Sequence, residues 1–185
     1  MLSRRLLVAS LGGIACGCTL HASVAAPNQP AVPANPMALH ERFMRLAMAE
    51  ARRNPVYPFG AIIVHTASGR VAARGVNNGA SNPTLHGEIA AMNNYVARHG
   101  NRDWATHTLY TTGEPCPMCM SALVWAGIGG VVFASSIDSI RRAGIDQIDI
   151  SAKAVIEASP FYRGTLLGGV LQAETDRMFM ARKRG

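Results

Sequence analysis

The chain has 185 residues, 49% of them hydrophobic and 16% charged, with a formal net charge of +7. That length suits one domain with a sizeable core, and the composition excludes an intrinsically disordered or low-complexity body. The basic balance permits an acidic partner, yet no aromatic residues are interleaved with it in the way that stacks bases, so nucleic acid is not the preferred ligand.

Ser3-Arg4-Arg5 precedes an uncharged, mostly apolar run over residues 6–20, and the small residues Ser23, Ala25 and Ala26 follow. This pattern predicts an export signal over residues 1–26. The run is shorter than the roughly 20 apolar residues that cross a bilayer and contains Gly12, Gly13 and Gly17, so stable membrane insertion of the mature chain is not expected. Arg4-Arg5 with Leu6 and Leu7 behind them resembles a twin-arginine signal, which predicts transport of the folded protein to the periplasm. Cys16 and Cys18 match a lipid-attachment site only loosely. Removing the signal takes away Arg4 and Arg5 and no acidic residue, lowering the formal charge of +7 by two, to +5.

Pro27, Pro30, Pro33 and Pro36 among small residues predict an extended linker over 27–36, which leaves 37–185 as the folded domain. Leu39, Phe43, Leu46 and Ala47 recur at helical spacing until Asn54-Pro55 stops the helix. Residues 59–65 and 70–76 read as two strands around Ser68-Gly69, 77–83 as a turn-rich loop and 84–98 as a helix. A strand over 108–112, a helix over 117–125 and a strand over 131–134 follow. Short helical stretches over 139–142 and 152–158 precede a fifth strand over 165–167, and a helix over 171–181 closes the domain. Strands alternating with helices predict a layered α/β sheet. Arg177, Arg182, Lys183 and Arg184 make a basic tail that reads as a solvated helix end, where cations suit the macrodipole.

Four polar residues stand out of this scaffold. His86-Gly87-Glu88 opens one predicted helix and Pro115-Cys116-Pro117-Met118-Cys119 opens the next. A catalytic zinc takes three protein ligands and keeps a fourth position open, and one histidine with two thiolates supplies that set. Cys116 and Cys119 are the only cysteines after the signal, and His40, His65, His99 and His107 lack a comparable spacing, which favours an open site. Pro117 suits a first helical turn and so places Cys116 near the N-cap, where the helix's positive end lowers a thiol pKa. Glu88 lies two residues from His86, about 200° around an ideal helix, so joint ligation from one face is disfavoured. It is instead suited to carry protons from the attacking water to a ring nitrogen and a departing amine. Taken singly, Cys116-x-x-Cys119 also reads as a redox pair and His86 as an ordinary helical histidine, which leaves a non-catalytic zinc or thiol-redox module as an alternative.

Together, His-x-Glu and Pro-Cys-x-x-Cys form the signature of the zinc deaminases. Pro58-Phe59-Gly60-Ala61, Asn82-Pro83-Thr84-Leu85-His86-Gly87-Glu88 and the run from Leu109 to Cys119 resemble the purine-directed branch of the cytidine-deaminase superfamily, which holds guanine deaminases and tRNA adenosine deaminases. The resemblance implies a three-layer α/β/α sandwich with a central mixed five-stranded sheet, Zn2+ on His86, Cys116 and Cys119, Glu88 as the catalytic group, and a homodimer with active sites near the subunit interface. Phe59, Trp125, Ala143-Gly144-Ile145-Asp146 and Pro160-Phe161-Tyr162 are most similar to the guanine deaminases, which implies a small purine base as substrate, with Asn77, Phe59, Trp125 and Asp146 around it. Adenine, cytosine, a nucleoside or a tRNA adenosine are the alternatives. Asn77 also reads as a turn residue, and Phe59 and Trp125 as ordinary packing aromatics. The chain departs from the branch at Gly87, where alanine is usual, and at Gly113, where the guanine deaminases often carry a larger residue.

Overall fold

A computed structural model describes residues 36–183 of the chain, so the predicted signal over 1–26 and nearly all of the predicted linker lie outside the described residues. Helix α1, Pro36–Ala51, turns Phe43, Met44, Ala47, Met48 and Ala51 inward at helical spacing. Pro36, expected to close the linker, is the first residue of this helix. Its fixed φ and missing N–H cost nothing in a first turn, so the last linker proline becomes a helix start.

Strands β1, Gly60–His65, and β2, Val71–Val76, form an antiparallel hairpin, and β3, His107–Gly113, pairs with the other edge of β1, again antiparallel. Helix α2, Gly87–His99, and a single 3-10 turn at Trp104–Thr106 connect β2 to β3. Helix α3, Pro117–Ala126, then crosses to β4, Gly130–Ser135, which runs parallel to β3. Helices α4, Ile137–Arg142, and α5, Ala152–Glu157, lead to β5, Thr165–Leu167, parallel to β4, and α6, Gln172–Met180, follows. The sheet order is β2-β1-β3-β4-β5, mixed and five-stranded, with helices on both faces.

The central strands are apolar on both sides because both faces are covered. Ala61 and Ile63 of β1, Leu109 of β3 and Val131 of β4 face α2, α3 and α5 through Tyr95, Leu123 and Ala152. Their alternates Ile62, Val64, Tyr110 and Val132 face Phe43, Met44, Ala47 and Met48 of α1. This period-two division seats the sheet between two cores. It also fixes the end where function sits: β2 and β3 finish, β1 starts, and α2 and α3 begin at one edge of the sheet. A crevice at the carboxyl ends of the parallel strands is where an α/β sheet holds its ligands.

Candidate active site

The helix over 84–98 begins later than its sequence suggests. Asn82 accepts hydrogen bonds from the Thr84 backbone N–H (3.0 Å) and hydroxyl (2.8 Å), so a turn occupies Thr84 and Leu85, and His86 becomes the N-cap of α2 in extended conformation. Gly87 makes the next step possible. A β-carbon there would stand 2.7 Å from the Phe59 carbonyl oxygen, so glycine lets the start of α2 press against the strand entry. Cys116 is the N-cap of α3 and Pro117 its first residue, as the spacing predicts. Two helix N-termini therefore point their positive ends at one spot.

There the Nδ1 atom of His86 lies 3.6 Å from the sulfurs of both Cys116 and Cys119, and all three donor atoms fall within 4.8 Å of one another. Zinc bonds of about 2.3 Å to sulfur and about 2.0–2.1 Å to nitrogen at tetrahedral angles put S and N roughly 3.6 Å apart, so the donor set fits the ion. Among the described residues no fourth histidine, cysteine or carboxylate joins the three. The two sulfurs share a proton unequally. A hydrogen bond from Cys119 holds Cys116 down to about 4, whereas donation to Cys116, together with burial, pushes Cys119 up. The hydrogen bond with Cys116 raises His86.

Glu88 sits in the first turn of α2 and is 3% exposed. Its Oε1 accepts a 2.8 Å hydrogen bond from the hydroxyl of Thr111, itself fully buried on β3. Burial pushes the Glu88 carboxyl above the usual range, more than the Thr111 bond lowers it. An uncompensated carboxylate in such a place is costly, which suits a group that binds and releases a proton.

His86, Glu88 and Cys116 open into a cavity of about 430 Å³ that Phe59, Asn77 and Asp146 also line. Phe59 does two jobs, walling the cavity and packing on Phe179 of α6 with ring centroids 4.9 Å apart. Asn77 is both a turn residue and part of the cavity lining. Its Oδ1 accepts from the Gly79 N–H at 3.1 Å in a local turn, while its Nδ2 has no hydrogen-bond partner among the described residues. Asp146 follows α4 at the rim, its carboxylate without a hydrogen-bond partner among the described residues.

Trp125 is not brought to this cavity. It is 80% exposed and stacks on Phe161 at 5.3 Å beside a separate groove. The geometry of α3 explains this: Cys119, Met120, Leu123 and Val124 form its buried face, and residue 125 lies about 200° from residue 123, turned outward.

Four positioning residues were assigned no role from the sequence, although Thr111, Thr112 and Glu114 lie in the run from Leu109 to Cys119. Thr112 accepts from the Gly60 N–H (3.1 Å) and donates to the Pro58 carbonyl (3.0 Å), holding the segment that presents Phe59. Asn54 donates to the Asn77 carbonyl at 2.9 Å. Glu114 accepts from the backbone N–H of Ile137 (3.0 Å) and Ala152 (2.9 Å), tying the cysteine loop to the starts of α4 and α5. Thr111 is the fourth. Two adjacent threonines, Thr111 and Thr112, at the buried end of β3 were the available signal, since buried hydroxyls need partners.

The family model of the cytidine and deoxycytidylate deaminase zinc-binding region matches residues 37–135. The guanine deaminase of Bacillus subtilis (strain 168) is 32% identical over 154 residues, spanning 78% of this chain and 97% of that protein. A tRNA-specific adenosine deaminase of Streptococcus pyogenes serotype M1 is 32% identical over 120 residues, 61% of this chain and 68% of that one. The solved guanine deaminase of Nitrosomonas europaea superposes with a TM-score of 0.65 at 24% identity, covering 82% of this chain and 86% of that chain, a likeness of fold.

Proposed function

This chain belongs to the cytidine and deoxycytidylate deaminase zinc-binding family and is a hydrolase acting on C–N bonds of nucleobases; we propose that its substrate is a free purine base, guanine, converted with water to xanthine and ammonia. The observation that carries the reading is the convergence of a three-donor metal cluster, a buried carboxylate and two unpartnered polar groups, Asn77 Nδ2 and the Asp146 carboxylate, on one cavity of about 430 Å³.

In this reading His86, Cys116 and Cys119 hold zinc, which supplies Lewis acidity that lowers the pKa of water. Glu88 takes a proton from the water that adds to the amino-bearing carbon. It delivers protons to the adjacent ring nitrogen and to the amine, which leaves as ammonia while the carbon becomes a carbonyl. Thr111 occupies Oε1 and so leaves Oε2 for the proton. Phe59 lies against the flat base as an apolar wall, Asn77 donates to a ring acceptor and Asp146 accepts from a ring N–H. Guanine carries such a donor on its ring after its reacting amine is set aside. Adenine carries its one ring N–H on the imidazole ring and none beside its amino-bearing carbon, so an acceptor placed beside the reacting carbon favours guanine.

The basic end of α6 does not favour a nucleic acid. Arg182 donates to the Gly144 carbonyl at 2.9 Å and lies over the Tyr57 ring at 5.8 Å, so that guanidinium is committed to the cavity rim. Homodimerisation is part of the same proposal, supported by the exposed Trp125–Phe161 pair, whose apolar rings face away from the core. Export to the periplasm is likewise proposed, on Arg4-Arg5 and the apolar run behind them. Ammonia release from guanine, adenine, cytosine and their nucleosides, measured side by side on the purified mature protein, tests the substrate. Guanine should rank first. Preference for adenine, cytosine or a nucleoside overturns the guanine assignment and leaves the zinc chemistry standing.

A further inference from the structure

At the end of the sheet opposite the cavity, where β1 and α2 finish and β3 begins, a second cleft of about 330 Å³ gathers His65, Arg70, His99, Arg102 and His107 around Tyr95. We propose that this cleft is a binding site for a phosphate-bearing anion, separate from the deamination site.

Among the described residues the hydrogen bonds leave donor capacity on the His65 ring and on the Arg70 and Arg102 guanidinium groups. His65 Nδ1 accepts from the Ser68 N–H at 3.3 Å, which puts the ring proton on Nε2. His99 Nε2 donates to the Ala72 carbonyl at 3.3 Å and His107 Nδ1 to the Asp103 carbonyl at 2.9 Å, so the backbone fixes both rings at the wall of the cleft. The Arg70 side chain has no hydrogen-bond or ion-pair partner among the described residues. Arg102 spends its Nε on the His99 carbonyl at 2.9 Å and keeps its outer nitrogens. Its one acidic neighbour among the described residues, Asp103, stands 3.9 Å away and is 69% exposed, a loose pair that screens it only weakly.

Two guanidinium groups thus stand at the cleft with Asp103 as the single carboxylate of its lining among the described residues. Burial holds His107 below its ordinary range, and the nearby charges of His65, Arg70 and His99 act in the same direction, against the bond to Asp103. A fold that brings two guanidinium groups to one concavity, with a single exposed carboxylate beside them, is stabilised by an anion there. Guanidinium forks match the paired oxygens of phosphate, which makes that ligand the better fit over a halide. Tyr95 supplies a floor, its ring packed on Trp104 at 4.4 Å and on His107 at 4.9 Å.

Equilibrium dialysis of the zinc-loaded mature protein tests the site, with inorganic phosphate, a nucleoside 5′-monophosphate and the parent nucleoside as probes. Saturable binding of phosphate and of the monophosphate is expected. The affinity should fall about tenfold or more for each guanidinium removed in Arg70→Ala and Arg102→Ala. Equal binding of the two probes identifies free phosphate as the source, and tighter binding of the monophosphate identifies a nucleotide. Both arginines are exposed, so melting temperature, zinc content and ammonia release should stay at wild-type values, and Arg70→Lys, which keeps the charge, should retain part of the affinity. Absence of saturable binding, binding that survives the double alanine variant, or nucleoside binding equal to that of the monophosphate overturns the proposal. Ammonia release from wild-type protein is scored independently, so failure of this site and failure of the deaminase reading are distinguishable.

Discussion

Replacing Gly113 with alanine would put a β-carbon 2.9 Å from Ile140 Cδ1 and 3.1 Å from Cδ1 and Cε1 of Phe59. Ordinary carbon contacts are about 3.5–4.0 Å, so both neighbours must give. Ile140 is fully buried, and Phe179 stands against another side of the Phe59 ring. The open direction for Phe59 is the cavity it lines. The ring should therefore advance by about 0.4 Å or more, narrowing the space for a flat base. Overpacking costs about 1–3 kcal/mol, and the lower end applies because the strain is relieved by a half-buried ring. About 1 kcal/mol taken from substrate binding raises KM roughly fivefold. Steady-state ammonia release from guanine should show that rise with a smaller change in kcat and unchanged zinc content. Adding Phe59→Leu should recover part of that rise, because the shortened side chain clears the new methyl group while giving up some of the wall against the base. An unchanged KM in Gly113→Ala, or no recovery in the double variant, refutes the packing argument.

Glu114→Ala removes the acceptor for the N–H groups of Ile137 and Ala152, and at about 1–2 kcal/mol per lost cap the zinc-loaded protein should melt roughly 5–10 °C lower in a thermal scan. Asn77→Ala should lower the specificity constant for guanine by about 10 to 100 times at constant zinc content, the cost of one buried pairing read by steady-state kinetics. Replacing Arg4 and Arg5 with lysine should leave the protein in the cytoplasm on cell fractionation, and unchanged export would remove the twin-arginine reading.

Much of the fold was legible because its signals are local and repeated. Leu39, Phe43, Leu46 and Ala47 mark α1 by period, although Met44 and Met48 share its buried face with Phe43 and Ala47, and apolar runs bounded by turn residues mark β1 and β3. Boundaries were less legible where a side chain competes with the backbone. Asn82 turns Thr84 and Leu85 out of the helical pattern, and Pro36 is read equally well as linker or first turn. The metal cluster could be read because its donors stand at helix starts, where sequence spacing and spatial spacing coincide. Trp125 could not be oriented in this way, since nearness along α3 to Cys119 says nothing of which face it occupies. Thr112, Asn54 and Glu114 act through partners 52, 23 and 38 residues away, and the histidines of the distal cleft come from three elements with no shared motif. Such long-range roles leave no periodic trace.

The central claim is that Glu88 moves protons while three other residues hold the metal, and Glu88→Gln tests it most directly. Glutamine keeps the size of the side chain and can still accept from Thr111, but it cannot take a proton from water. Metal analysis and ammonia release measured on the same preparation, with Cys116→Ala beside it, should give a Glu88→Gln protein with full zinc and a rate lower by about 10²–10⁴, and a Cys116→Ala protein that has lost the metal. Wild-type ammonia release from Glu88→Gln, or loss of zinc along with its activity, would contradict the account.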